Sequence, residues 1–311
     1  MYKVKTIEVN EHKQGQRIDN YLISMLKGVP KTRIYRAIRK GEVRVNKKRI
    51  KASYRVQDGD LVRIPPLNQG AATAEVKPSL AITDMLKGRI LYEDEDLLII
   101  NKPSGIPVHG GSHQIGGVIE YLRQIIDSPY IELAHRLDKD TSGCLVLAKK
   151  SSVLKELHEL MRNNQVKKSY LALVMGAWPK SNVKVDLPLR KNQLASGERI
   201  VSVNESGREA ITLTKAIQYL DSSTLLQAEL VTGRTHQIRV HCTASGHPIA
   251  GDSKYGDKAF NRLMHNKGLK RMFLHAKFIS FKLSTMDKII SVSAPLDEQL
   301  QKILENLEKK R

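Results

Sequence analysis

Two adjacent prolines, Pro65-Pro66, and the small polar tract behind them constrain this chain more than any other feature. Proline has no amide proton and a fixed φ, so the pair ends whatever helix or strand precedes it. Gln69-Gly70-Ala71-Ala72-Thr73-Ala74 then shows neither a helical nor a strand period. Residues 68–78 therefore read as a mobile tether, with core-forming sequence on both sides. The expected layout is a small unit over residues 1–66, a linker over 67–86 and a large unit over 87–311, with a short helix near 79–87. A chain of 311 residues has the length for two such cores.

The two parts differ in charge. Lys and Arg number 52 and Asp and Glu 32, a net charge of +20. Residues 13–64 hold fifteen of the cations and four of the acids, more than half of the excess. Such an imbalance points to a polyanionic partner, bound through phosphate attraction and counterion release. Ile18, Leu22, Met25 and Leu26 mark one face of a helix, which Gly28-Val29-Pro30 ends. Residues 31–40 form a second amphipathic helix with Ile34, Ala37 and Ile38 inward. Its other faces carry Lys31, Arg33, Arg36, Arg39 and Lys40. Strands are expected at 43–45 and 61–64, and Arg44 with a Lys47-Lys48-Arg49 turn extends the cationic surface. A basic run is ordinarily just solvated. Here the cations share one helix and the next turn of a very small unit, so phosphate binding is the better reading.

In the large part the densest chemistry is His135-Arg136-Leu137-Asp138-Lys139-Asp140, followed by a Thr141-Ser142-Gly143 turn. The apolar run Cys144-Leu145-Val146-Leu147-Ala148 reads as a buried strand, so the charged cluster hangs at the mouth of a rigid element. On its own it is as consistent with an ordinary surface Arg–Asp pair as with a site. A second constellation, Arg234, His236, Arg239 and His241, follows the Gly233 turn, and Ile238, Val240 and Ala244 look core-facing. Two histidines five residues apart, with no carboxylate or thiol at ligand spacing apart from Cys242 beside His241, make a poor metal site, and no metal is expected. Tyr170 lies in an apolar strand at 166–174, where a buried tyrosine with a bonded hydroxyl is as good a reading as a functional one. Lys184, Arg190, Lys191, Arg199 and Arg208, in a strand-rich stretch over 183–217, either line a groove for a polyanion or are simply solvated. Val108-His109-Gly110-Gly111 reads as a lid or as a plain turn. Helices are expected at 117–126, 151–162 and 296–307. Strands are expected at 89–92, 96–101, 225–230, 271–276, 278–283 and 289–292. Helices and strands mix without strict alternation, which favours an α+β domain whose mixed, mostly antiparallel sheet is flanked by helices.

Two families are resembled. KTRIYRAIRKGEVRVNKKRIKASYRVQDGDLVRI over residues 31–64, with GQRIDNYL before it, resembles an S4 RNA-binding domain. Such domains recognise folded RNA largely by shape and backbone. His135-Arg136-Leu137-Asp138 with Thr141-Ser142-Gly143, then Lys168-Ser169-Tyr170-Leu171-Ala172, then GRTHQIRVH over 233–241 resemble the motifs of the RluA family of pseudouridine synthases. That resemblance runs from about Leu91 to Ala294. It implies isomerisation of uridine to pseudouridine within RNA, with 23S (large-subunit) ribosomal RNA as the substrate and no cofactor. It makes Asp138 the catalytic aspartate, Arg239 its basic partner and Tyr170 the tyrosine beside the target base. Arg136 matches an arginine that fills the space of a flipped-out uridine, and Ile238 an apolar wall that is often leucine. His135 and Arg234 are expected to help hold the substrate. Arg234 also competes with Arg239 for the ion pair, and Asp140 competes with Asp138 but is better placed to cap the Thr-Ser-Gly turn. A stacked nucleotide must leave its helix at a cost of roughly a few kcal/mol, and a guanidinium can fill the gap while binding phosphate.

No apolar run approaches the ~20 residues that cross a bilayer. The first residues lack the apolar core of a signal peptide. Cys144 and Cys242 read as buried free thiols in a reducing cytoplasm. The expectation is a cytoplasmic monomer without membrane contact. Three rivals remain. A synthase of the same fold acting on transfer RNA is one. A non-catalytic ribosome-assembly factor is another, but it would have lost Asp138, Tyr170 or Arg239. A carboxylate glycosidase needs a second acid and leaves the basic unit unexplained.

Overall fold

The computed structural model describes residues 4–26, 28–67, 80–110, 116–193 and 199–308. The tether expected at 68–78, Gly111 and the Arg199 side chain fall outside what it describes. The chain forms two compact units, Met1–Lys77 and Pro78–Arg311.

The first unit runs β1 (Lys5–Glu8), α1 (Ile18–Met25), α2 (Lys31–Arg39), β2 (Arg44–Val45), β3 (Lys48–Arg49) and β4 (Leu61–Ile64). Its antiparallel sheet has the order β1-β4-β2-β3. Ile18 and Leu22 of α1, Ile34, Ala37 and Ile38 of α2, and Val45, Val62 and Ile64 of the sheet close one core. Each buried aliphatic side chain contributes about 1.5–3 kcal/mol. Strand β1, Lys-Thr-Ile-Glu and exposed except at Ile7, shows no apolar alternation, and only its pairing with β4 defines it. Lys48 and Arg49 are strand rather than turn. The turn is Asn46-Lys47, with φ of 49° and 64°. Positive φ at both central residues is what a two-residue hairpin needs. Gly41 has φ +70°, and a Cβ there would sit 2.5 Å from Arg49 Nε, so its bare Cα lets Arg49 lie across the end of α2.

The second unit opens with α3 (Leu80–Lys87), inside the stretch read as linker, and Leu86 is fully buried. There follow β5 (Ile90–Glu93), β6 (Leu97–Lys102), α4 (Val118–Ile125), β7 (Glu132–Leu133), β8 (Ser142–Ala148), α5 (Ser151–Arg162) and β9 (Lys167–Met175). Then come β10 (Val183–Asp186), β11 (Leu189–Gln193), β12 (Arg199–Val203), β13 (Ile211–Leu220) and β14 (Ser223–Leu230). The chain ends with α6 (Gln237–Ala244), α7 (Lys258–Asn266), β15 (Leu274–Phe281), β16 (Ile290–Ser293) and α8 (Glu298–Glu308). Ten strands form one sheet, β10-β13-β14-β9-β15-β8-β6-β5, with β16 beside β15 and β7 beside β8. Strands β8 and β15 run parallel, and the other pairings of this sheet are antiparallel. This is the mixed, mostly antiparallel α+β sheet expected. Strands β11 and β12 make a separate hairpin.

Strands β6 and β8 are buried along their whole length, which is why they read as continuous apolar runs. Gly143 is not a turn residue. Ser142 and Gly143 already belong to β8, opposite His275 and Ala276. Gly143 has φ +109°, and a Cβ there would meet the Ala276 carbonyl oxygen at 2.3 Å, so only glycine lets β8 and β15 meet. The strands expected at 271–276 and 278–283 are one strand, β15. A register shift against β9 between Ala276 and Phe278 interrupts its alternation. Helix α7 was missed, although Asp257 caps it by accepting the Phe260 amide proton at 2.7 Å. Helix α6 buries Ile238 and Val240 as expected, but Ala244, at its end, is exposed.

Candidate active site

A cleft of about 550 Å³ opens in the second unit. The loop before β8, strand β9 and the start of α6 together bring Arg136, Asp138, Tyr170, Arg234, Ile238 and Arg239 to its walls. These residues span more than one hundred positions of sequence.

The Asp138 loop is pinned from behind. Lys102 is fully buried at the end of β6, and its ammonium donates to the carbonyls of Pro103 (2.8 Å), Ile106 (2.8 Å) and Lys139 (3.0 Å). Burial, with nearby Arg271, brings its pKa down to about 7. On the other side Arg271, ion-paired with Asp297, donates to Ser142 Oγ at 2.6 Å. That hydroxyl must then donate to His275 Nδ1, 2.8 Å away, which leaves His275 Nε2–H for the Ala294 carbonyl at 3.1 Å. Asp138 closes the turn by accepting the Thr141 amide proton on its carbonyl at 3.2 Å. Asp140 engages through its backbone, accepting from Ser104 Oγ at 2.7 Å, so the cap expected of its carboxylate is supplied by main chain instead.

Arg239 lies between two carboxylates. Its Nη1 reaches Asp138 Oδ2 at 3.3 Å. Its Nε and Nη2 donate to Asp252 at 2.7 and 2.8 Å, and Asp252 is 1% exposed. This fork-to-fork contact fixes the guanidinium plane, and the Tyr255 ring covers it with its centroid 5.0 Å away. Asp252 also accepts the amide protons of Lys254 and Tyr255 at 2.9 and 3.0 Å. Nothing in the sequence announces this role, because a lone Asp beside Gly251 carries no sign of burial. Arg234 points elsewhere, with its Nε donating to the Glu209 carbonyl at 2.9 Å.

Burial alone would raise the Asp252 carboxyl, but Arg239 and the two amides outweigh it and hold the pKa below the usual carboxylate range. A depressed folded value makes this contribution complete above the unfolded value of about 3.9 and removes it as pH falls through the folded one. Thermal unfolding followed from pH 6 downward should therefore lose stability more steeply below about pH 4 in the native protein than in Asp252→Asn. Equal acid slopes in the two proteins would remove Asp252 from the account.

His236 enters α6 in the left-handed conformation, φ 55°, an uncommon geometry that histidine tolerates better than most residues. Its Nδ1 lies 2.7 Å from Tyr255 Oη, and Tyr255 Oη accepts the Val201 amide proton at 3.0 Å. The arrangement that leaves no hydroxyl proton unpaired has Tyr255 donating to Nδ1. The ring proton then sits on Nε2, 3.7 Å from Asp138 Oδ2. Burial keeps this imidazole below its ordinary pKa, and Asp138 opposes that effect.

Tyr170 is 7% exposed and lines the cleft. Its cross-strand partners are Ala228 and Ala276, small residues that leave room for the ring. The buried-tyrosine alternative expects a bonded hydroxyl, yet among the described residues nothing hydrogen-bonds it. Burial and then the Asp138 charge raise its pKa. Arg136 is exposed at the rim and makes no ion pair among the described residues. Ile238 is buried and presents an apolar wall. His135 accepts the Val146 amide proton on Nε2 at 3.1 Å, and burial brings it down to about 4. It is a neutral clamp on β8 that also lines the cleft. Lys168 lines the same wall, its pKa lowered by burial. His241 is a structural residue, held by Thr212 Oγ1 and the Leu187 carbonyl. No group of His, Cys, Asp and Glu suited to a metal occurs among the described residues.

In the first unit Lys31, Arg36, Arg39, Lys40, Arg44, Lys47, Lys48 and Arg49 are all exposed. Arg33 is the exception, half-buried and paired with Glu42 at 2.8 Å.

A carboxylate on an arginine under a tyrosine, in a cleft rimmed with cations, is the equipment of an enzyme acting on a polyanion. The family model for RNA pseudouridylate synthase matches residues 96–244, and that for the S4 domain matches residues 16–62. The "Ribosomal large subunit pseudouridine synthase C" of Pasteurella multocida is 51% identical over 97% of this chain and 93% of its own length. The protein of that name in Escherichia coli K12 is 48% identical over 99% of this chain and 98% of its own. Among solved structures, human RNA Pseudouridylate Synthase Domain Containing 4 matches with a TM-score of 0.59 and 27% identity, covering 73% of this chain and 95% of that one. The chain belongs to the RNA pseudouridylate synthase family, with an S4 domain ahead of the catalytic domain. Among the described residues no helix is long and apolar enough to cross a membrane.

Proposed function

We propose that this enzyme isomerises specific uridines of large-subunit ribosomal RNA to pseudouridine, with Asp138 as the catalytic carboxylate. The observation that carries the reading is the meeting of Asp138, Arg239 and Tyr170 in one cleft. In the reaction the N1–C1′ bond breaks, the base turns, C5 bonds to C1′, the C5 proton leaves and N1 gains a proton. Among the described residues Asp138 and Glu209 are the acids lining the cleft, and of the two only Asp138 faces a guanidinium, that of Arg239, which Asp252 holds in place. Tyr170 supplies a flat wall for the base and a hydroxyl free to move a proton. The target nucleotide must leave the RNA stack to reach this depth, and Arg136 at the rim takes the vacated space. The test is release of tritium to water from large-subunit RNA labelled at uridine C5, with pseudouridine recovered in the digest. RNA that keeps its tritium would end the proposal.

The S4 unit is proposed as the anchor for folded RNA, through its exposed cations. An anchor carried on the same chain raises the effective concentration of the target at the cleft. Removing Met1–Lys77 should raise KM while the remaining domain, which has its own core, stays folded. Each lost phosphate contact lowers the slope of log affinity against log salt by roughly 0.7–0.9, so the slope should fall by about 2 or more. An unchanged slope would place the anchor elsewhere.

A further inference from the structure

Beside the catalytic cleft lies a second cavity of about 500 Å³, built on the β11–β12 hairpin and the turn after it. Gly233, Arg234 and Thr235 line both cavities, so the two adjoin along one wall. The cations of the second are Arg190, Lys191, Arg208 and Arg234, and among the described residues no acid lines it. None of the four pairs with a carboxylate among the described residues. On the neighbouring strand β10, by contrast, Lys184 pairs with Asp186 at 2.7 Å.

The mount is rigid. Leu189 and Arg208 exchange backbone hydrogen bonds of 2.8 and 2.9 Å, which fixes Arg208 against β11, and Arg190 of that strand lines the same cavity. The turn between them is pressed onto β11, where a Cβ on Gly207 would lie 2.7 Å from both the Asn204 carbonyl oxygen and Leu189. Leu189, Val201, Ala210 and Val240 form the small core beneath, and Tyr255 packs against it. Arg190 Nη1 donates to Ser206 Oγ at 3.2 Å, which leaves its other protons for a ligand. Arg234 is fixed through its amide on Gln237 Oε1 and its Nε on the Glu209 carbonyl. Arg234 lines both cavities and so stands at their boundary.

We propose that this cavity is a phosphate subsite for the RNA strand adjoining the target nucleotide. Arg190, Lys191 and Arg208 take the flanking phosphodiesters, and Arg234 holds the backbone where it leaves the catalytic cleft. Four unpaired cations on a preformed surface, continuous with the reacting site, suit a chain of phosphates rather than one small anion. The inference rests on the RNA-modifying reading above and names where that RNA runs. The hairpin is also tied to the reacting end of the cleft, since the Val201 amide sits on Tyr255 and Tyr255 sits on His236.

The test compares the triple variant Arg190→Ala/Lys191→Ala/Arg208→Ala with a charge-matched control, Lys215→Ala/Lys282→Ala/Lys288→Ala, whose residues are exposed and line neither cavity. Tritium release is measured on full-length substrate RNA over a range of salt. The subsite variant should raise KM about tenfold or more and lower the salt slope by about 2, at ~0.7 for each single-strand phosphate. The control should do neither. Trimming the RNA flank on one side of the target uridine should abolish the difference between the subsite variant and native enzyme. Equal losses in the two triple variants would reduce the effect to net charge and overturn the subsite, as would a subsite variant with native KM. Failure of the native enzyme to release tritium is the separate result that sinks the functional reading itself.

Discussion

Replacing Asp138 with Asn is expected to stop tritium release from uridine-labelled RNA while leaving RNA binding close to native. The substitution keeps the size and a hydrogen-bonding side chain but removes the negative charge, and with it nucleophile and base alike. The expected loss of turnover is on the order of 10⁴-fold or more. Stability should hardly change. Asp138 is partly open to the cleft, its contact to Arg239 is the longer of the two that arginine makes, and Arg239 keeps its fork on Asp252. The phosphate contacts proposed for the basic surfaces do not involve this carboxylate, so binding measured by filter retention should persist. A variant with native turnover would remove Asp138 from the chemistry. A variant that neither binds nor turns over, with an unchanged melting temperature, would make it a binding residue.

The second large effect is expected at Arg239. Arg239→Met strands the Asp252 carboxylate, 1% exposed, without its guanidinium. Breaking a buried pair from one side costs about 3–5 kcal/mol, a fall in Tm of roughly 10 °C for a domain of this size. Activity should be lost as well, since Asp138 loses the cation that faces it. The double variant Arg239→Met/Asp252→Asn separates the two consequences. It carries no stranded charge and should recover most of the stability, while activity stays absent. Recovery of activity in the double variant would show that Arg239 merely neutralises Asp252. Failure to recover stability would show that the ion pair is not what the single variant loses.

Most of the element pattern was legible in the sequence because burial leaves a simple trace. Strands β6 and β8 are covered on both faces and read as unbroken apolar runs, and α5 carries its stripe at helical spacing. The motifs around Asp138, Tyr170 and Arg239 pointed to the family by resemblance, and the charge excess of the first unit pointed to a polyanion. What escaped was set by partners far away in sequence. Strand β1 exists through its pairing with β4. Strand β15 hides a bulge against β9. Lys48-Arg49 looked like part of a turn because they belong to a polar run between apolar stretches, whereas two positive φ values at Asn46-Lys47 decided the hairpin.

The sequence by itself determined which side chains carry charge, which stretches must be buried and where the chain is interrupted, since these follow from hydration and backbone sterics residue by residue. Only the tertiary structure decided that Asp252, not Asp138, holds Arg239 in a bidentate grip, and that Tyr255 fixes the proton of His236. It also decided that Lys102 anchors the Asp138 loop from beneath. Each of these is a hydrogen bond closed in a place from which water is excluded. Such a bond depends on direction and distance between residues far apart in the chain, which local pattern does not encode.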